Sequence, residues 1–242
     1  MKLSFKWIVS AVKNSSKRKK ILVVVLMVSV LLFYFSLPKK LFETPTSYII
    51  YDREGILLNA TIAADGQWRF PVNENVPQKF IDCITTFEDK RFFYHPGIDP
   101  IAITRAILQN SKGKRATQGG STLSMQVMRL SKKDNQRNIW NKLKESLLAI
   151  RMECSYSKNE ILALYAGNAP FGSNVVGLDA AAWRYYGRSP QKLSWAEMAT
   201  LAVLPNAPSL VHPGKNRSRL LKKRNLLLDK LLDAKKIDQV DC

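Results

Sequence analysis

Apolar positions along this chain come first as an unbroken run, then in short alternating stretches, then at helical spacing, and each regime predicts a different element. Residues 21–38, ILVVVLMVSVLLFYFSLP, carry no charge between Lys20 and Lys39. As a helix rising about 1.5 Å per residue they reach roughly 27 Å, which predicts one transmembrane anchor. A cleavable signal peptide would have a shorter apolar region and a small-x-small site after it, which is absent. Short runs at 48–51 and 56–59 flank Asp52-Arg53-Glu54-Gly55 and read as a β-hairpin, with a third short strand near 68–72 after Asp65-Gly66.

From Pro77 the period becomes helical. Phe80, Cys83, Ile84 and Phe87 recur at i, i+3, i+4 and i+7, one buried face, and Glu88 lies one residue beyond it, at the rim of the core. Asp99-Pro100 is an N-cap and N1 pair opening a helix to about Gln109. The polar, glycine-rich stretch 111–120 is a loop, and a further helix begins at Ser121. Residues 138–153 read as a long helix with Leu143, Leu147 and Ile150 inward. Ser157 with Glu160 and Ser194 with Glu197 are capping boxes, and Gly187 closes the helix before it. A last amphipathic helix buries Leu220, Leu227, Leu228, Leu231 and Leu232. Its basic run, Arg217, Arg219, Lys222, Lys223 and Arg224, reads as a solvated or membrane-facing surface. The pattern gives a mainly α chain with a small β-hairpin element and one N-terminal transmembrane helix. Its segments are a basic tail (1–20), the anchor (21–38), a juxtamembrane hairpin segment (39–75) and one domain (76–242).

The formal net charge is +19, and Lys2, Lys6, Lys13, Lys17, Arg18, Lys19 and Lys20 precede the apolar run with no acid among them. By the positive-inside rule the N-terminus stays in the cytoplasm and the rest is exported across the cytoplasmic (inner) membrane, in a single pass. The remaining basic surplus favours an anionic bilayer or a polyanionic substrate; beside a membrane segment, nucleic acid is not the expected partner. Cys83, Cys154 and Cys242 form no CxxC or Cys/His cluster, so a zinc site is not expected, and Cys83 falls on an apolar helical stripe, as a core residue would.

Three clusters carry chemistry: Glu88 to Gly97 (EDKRFFYHPG), Gly119 to Gln126 (GGSTLSMQ) and Lys142 to Glu145 (KLKE). They supply two carboxylates, a hydroxyl-rich helix start and several cations. One carboxylate to deprotonate an attacking hydroxyl and cations to hold departing phosphates suit transfer of a sugar from a pyrophosphate. The free amides of a helix starting at Ser121, with Arg129 two turns on, suit a phosphate, and they suit a plain capped helix as well. Lys142 and Glu145, at i and i+3, also fit a surface ion pair. His95 reads as structural and His212, beside Pro213, as a surface residue.

At these residues the chain resembles the peptidoglycan glycosyltransferases of family 51, which polymerise lipid II in class A penicillin-binding proteins. The family's first motif is complete in Glu88, Asp89, Phe92, His95 and Gly97. Its second is present in Gly119, Ser121, Thr122, Gln126 and Arg129, with Met125 for a Gln and Arg129 for a Lys, as in the penicillin-binding protein 1C type. The third runs through Arg137, Lys142 and Glu145. The fourth is altered, its usual Glu falling on Ala163 and its usual Asn on Gly167, beside Asn168. The resemblance spans about 46–213 and implies a lysozyme-like glycosyltransferase domain. It implies Glu88 and Glu145 as catalytic residues, and Ser121, Thr122, Gln126, Arg129, Arg137 and Lys142 as substrate-binding residues. Glu145 would hold a divalent cation, Mg or Mn, or orient the cations. Lipid II, the growing glycan strand, the bilayer and other cell-wall synthesis proteins are the implied partners. No Lys-Thr-Gly-like strand accompanies any Ser-x-x-Lys, so no transpeptidase is expected in this chain, whereas the 1C-type proteins carry that second domain. A lytic transglycosylase and a non-catalytic wall-assembly scaffold are the alternatives.

Overall fold

The structure, a computed structural model, describes residues 16–111, 120–132, 138–206 and 216–239; Gly119, Arg137, His212 and Cys242 lie outside them. The chain divides into two compact units, Met1–Leu41 and Phe42–Cys242. In the first, helix α1 (Lys17–Tyr34) begins on four cations, Lys17 to Lys20, and ends before Phe35, and its apolar side chains are almost all exposed. Ser36 terminates it: the hydroxyl donates to Phe33 O at 2.7 Å, two residues ahead of Pro38. The helix thus stops four residues short of Pro38, the end of the expected span. The apolar helical part, 21–34, is about 21 Å long, and no helix among the described residues is long and apolar enough to cross a membrane.

Among its described residues the second unit is mainly helical with two small sheets. Strands β1 (Ile49–Tyr51) and β2 (Leu57–Ala60) form the expected antiparallel hairpin, with an irregularity between Ile50 and Tyr51. Asp52 Oδ1 holds its turn by accepting from the Glu54 and Ile56 amides. Strand β3 (Trp68–Arg69) lies where a third strand was expected, yet it pairs in parallel with β4 (Val175–Val176), more than a hundred residues on, and not with the hairpin.

Eight α-helices follow among the described residues: α2 (Gln78–Glu88), α3 (Pro100–Ser111), α4 (Leu123–Lys132), α5 (Ile139–Glu153), α6 (Lys158–Asn168), α7 (Leu178–Tyr186), α8 (Trp195–Val203) and α9 (Arg217–Asp233). Helix α4 packs between α5 and α6, and α2 packs against α8 and α9. The predicted stripe of α2 is buried at Phe80, Cys83 and Ile84, each such apolar side chain contributing roughly 1.5–3 kcal/mol, and the helix ends on Glu88 itself. Both capping boxes form, at Ser157/Glu160 and Ser194/Glu197, and Gly187 closes α7 in the left-handed region at φ 65°.

Two expectations about helix faces need correction. On α5 the residues turned into the core are Ala149 and Met152, whereas Leu143 and Leu147 are 51% and 60% exposed, beside exposed Ile139 and Trp140. A 3.6-residue stripe marks an apolar face without saying what covers it. On α9, the leucines are buried at 220, 227, 228 and 231 as expected, but Lys223 and Arg224 are half-buried and not part of a freely solvated face.

Candidate active site

The first motif is a folded device that ends α2 and begins α4. His95 is buried, and its Nδ1 accepts the Gly97 amide at 3.2 Å. That fixes the proton on Nε2, which donates to both Asp89 carboxylate oxygens at 3.0 Å. Asp89 Oδ2 also accepts the Leu123 amide at 3.0 Å, tying the end of α2 to the first residue of α4. Gly97 sits at φ +93°, and a Cβ there would meet the Ala149 backbone at 2.7 Å, so only glycine lets this loop lie on α5. Below it, Lys158 donates to His95 O and to Glu153, Ser124 also donates to Glu153, and the Lys158 ammonium lies 4.4 Å from the Phe92 ring centre.

Helix α4 starts two residues later than the expected Ser121, with Thr122 as its cap. Thr122 Oγ1 accepts from Met125 N at 3.2 Å and donates to Gly97 O at 2.6 Å, and the side chain is 2% exposed. Two of the amides expected for a phosphate are therefore engaged, Leu123 N by Asp89 and Met125 N by Thr122. Ser121 is half-buried beside them.

This scaffold delivers Glu88 at the end of α2, half-buried at the rim as its place in the pattern predicted. Its Oε2 accepts from Gln126 Nε2 and its Oε1 from Asn206 Nδ2, both at 3.0 Å. Burial raises its proton affinity above the ordinary glutamate range; the two amides and the charges of Lys223 and Arg129 oppose that rise. Phe92 is turned toward His95 and Lys158, and Phe93 is half exposed. Tyr165 of α6, fully buried, keeps its hydroxyl without a hydrogen-bond partner among the described residues. Burial and then the Glu88 carboxylate hold that phenol well above its usual range, while Arg129 opposes them.

The structure thus brings Glu88, Gln126 and Arg129 together on α2 and α4. Lys142, exposed, and Glu145, half-buried, sit on α5, which packs against α4 where Ser146 Oγ donates to Met125 Sδ at 3.8 Å. Among the described residues no group of three or more His, Cys, Asp or Glu could hold a metal ion. Glu145 alone does not make a protein-built metal centre. Asn206, Lys223 and Tyr165 were not legible as site residues: Asn206 precedes no motif, Lys223 was lost in a basic run, and Tyr165 reads as core. The altered fourth motif has a steric account, since a Cβ on Gly167 would lie 2.8 Å from Val72 Cγ2, while Asn168 Nδ2 donates within its own helix to Leu164 O.

The chemistry available is proton abstraction by a carboxylate held by two amides, with the Arg129 guanidinium within electrostatic reach. A family model described as Transglycosylase matches residues 56–232. Penicillin-binding protein 1C of Escherichia coli is 38% identical over 195 residues, 80% of this chain and 25% of that protein. Penicillin-binding protein 1A of Aquifex aeolicus is 38% identical over 213 residues, 86% of this chain and 29% of that protein. A crystal structure of penicillin-binding protein 1A from Haemophilus influenzae is similar with a TM-score of 0.43 and 24% identity over 83% of this chain and 20% of that one. The chain spans between a fifth and a third of the length of these proteins. With the family model matched across most of its length, from the β1–β2 turn to the end of α9, the chain belongs to the transglycosylase family.

Proposed function

We propose that the chain is a peptidoglycan glycosyltransferase that polymerises lipid II into glycan strands. Glu88 takes the proton from the 4-hydroxyl of the acceptor sugar, whose oxygen attacks the anomeric carbon of the strand's lipid-linked donor from the face opposite the pyrophosphate. The C–O bond to the pyrophosphate breaks, that group leaves with the electron pair, and the anomeric centre inverts from α to β. The observation that carries this reading is the state of Glu88. It is partly desolvated, which makes it a stronger base than a solvated glutamate, and both oxygens are oriented by amides while each retains a lone pair for the proton. Arg129 supplies fixed positive charge for the donor's phosphates, with Lys142 and Arg137 as further cations and Glu145 ordering them. Ser121 and Gln126 line the same helix start, and Thr122 serves by holding it in place.

The apolar side chains left exposed on α3 and α5, Ile101, Ile107, Trp140 and Leu147 among them, support a lipid-linked substrate taken from a bilayer surface. The lysozyme-like kinship, membrane attachment through residues 21–38 and an exported domain belong to the same proposal. The support for membrane attachment is the exposed apolar surface of α1 and its cationic first turn, and the lysozyme-like kinship rests on the family resemblance. Other wall-synthesis proteins as partners, and a divalent cation brought in on the pyrophosphate with Glu145 as its single protein carboxylate, are proposals on the family resemblance. The test offers the detergent-solubilised chain lipid II and, separately, purified sacculi. Glycan strands from lipid II with intact sacculi are expected. Soluble fragments from sacculi would make the protein a lytic enzyme, and no turnover of either by a folded chain would make it a scaffold.

A further inference from the structure

Two side chains outside every sequence motif converge on Glu88. Asn206, in the turn after α8, donates from Nδ2 to Glu88 Oε1 at 3.0 Å and accepts at Oδ1 from Lys223 Nζ of α9 at 2.9 Å. An asparagine amide can present either its oxygen or its NH₂ to a neighbour, and the two choices have opposite effects on a carboxylate. Here the ammonium decides: three donors and no acceptor on Lys223 demand the amide oxygen, so the NH₂ must face Glu88. Lys223 is itself half-buried and reaches this position because α9 packs on α2. The groups that face Glu88 are Gln126 and Arg129 from α4, Tyr165 from α6, Asn206, and Lys223 from α9; those that face Lys223 are Glu88 and Arg219.

We propose that Lys223 and Asn206 form a positioning relay for Glu88, in which the α9 cation sets the amide and the amide fixes the orientation and charge of the carboxylate. This deepens the reading of Glu88 as general base and rests on it for its catalytic meaning, though not for its existence. Neither residue touches the reacting atoms. Gln126 anchors one carboxylate oxygen and Asn206 the other, so the plane of the carboxylate is fixed and its free lone pairs keep one direction. Without Lys223 nothing holds the amide oxygen, and the hydrogen bond from Asn206 to Glu88 is no longer fixed in place. The fold would then hold the same helices and lose the orientation of its base.

The test uses the full chain in detergent micelles, with carboxyl ¹³C NMR titration of Glu88, its resonance assigned by Glu88→Gln, beside the pH profile of kcat/KM on lipid II. Lys223→Met and Asn206→Leu should each move the Glu88 titration, and with it the acid limb, up by about half a unit to one unit, as expected for loss of a nearby cation or of a donor to the charged form. The double variant should shift by less than the sum of the two, because either change breaks the relay while the direct attraction of the Lys223 charge is lost only once. Lys223→Arg should restore the wild-type titration. A Glu88 titration unmoved in both single variants would overturn the relay. So would a double shift equal to the sum of the two, which means independent contacts. The expected NMR shifts in a protein that polymerises nothing would uphold the relay and refute the role of Glu88 in glycosyl transfer.

Discussion

Replacing Asp89 by Asn removes one charge and one acceptor from the device that joins α2 to α4. In the wild-type chain the carboxylate takes the His95 Nε2–H between both oxygens and the Leu123 amide on one of them, at 3.0 Å, with 5% of the residue exposed. The asparagine oxygen can keep Leu123, but its NH₂ then faces the His95 Nε2–H, donor to donor. The histidine cannot escape by moving its proton to Nδ1, because Nδ1 already accepts from the Gly97 amide. Hydrogen bonds to a charged group contribute about 1.5–3 kcal/mol and neutral ones about 1. Losing the charge from two contacts, with a donor pair left facing, costs roughly 2–4 kcal/mol. For a domain of this size, where each kcal/mol shifts Tm by about 2–4 °C, the expected fall is on the order of 4–16 °C. Thermal unfolding followed by circular dichroism, in the same detergent for both proteins, measures it. A midpoint within about 1 °C of wild type would refute both the tautomer and the reading of the motif as structural.

Further outcomes follow from other contacts. Arg129→Ala is expected to lose donor affinity by roughly ten- to a hundredfold, the worth of a charge-assisted hydrogen bond, while Arg129→Lys stays active; equal affinity for Arg129→Ala would make the residue a spectator. Gly167→Asn, which installs the residue usual in the family, should destabilise by about 1–3 kcal/mol through the Val72 contact, and Val72→Ala should recover most of it in chemical denaturation. Cys83 is buried, with its thiol pushed up to about 12, whereas Cys154 is exposed. Alkylation at pH 8 followed by peptide mapping should therefore mark Cys154 and reach Cys83 only on unfolding.

Local rules made most of the helices legible. The stripe of Phe80, Cys83 and Ile84, the Asp99 cap, whose carboxylate accepts from the Ala102 amide at 3.0 Å, and the two capping boxes all follow from side chains within four residues of one another. The site was legible as far as its residues lie in motifs, so Glu88, Gln126 and Arg129 were found together. What the sequence withheld depends on distance along the chain. The parallel pairing of β3 with β4, the Asp89 contact that fills the start of α4, and the approach of Asn206 and Lys223 to Glu88 across 118 and more residues have no local signal. The α5 leucines fail for a different reason: periodicity identifies an apolar face, and Ala149 with Met152 won the core because Gly97 brings the motif loop onto that side.

The central claim is that Glu88 is the base of a glycosyl transfer, and it meets its most direct test in lipid II polymerisation by the wild-type chain beside Glu88→Gln, with products sized on a gel and donor binding measured in parallel. Glutamine keeps the size, and it meets both neighbours once the Gln126 amide turns its oxygen to the new NH₂, but it cannot take a proton, so strand synthesis should fall by about 10² to 10⁴ while donor binding persists. Undiminished strands from Glu88→Gln would contradict the account.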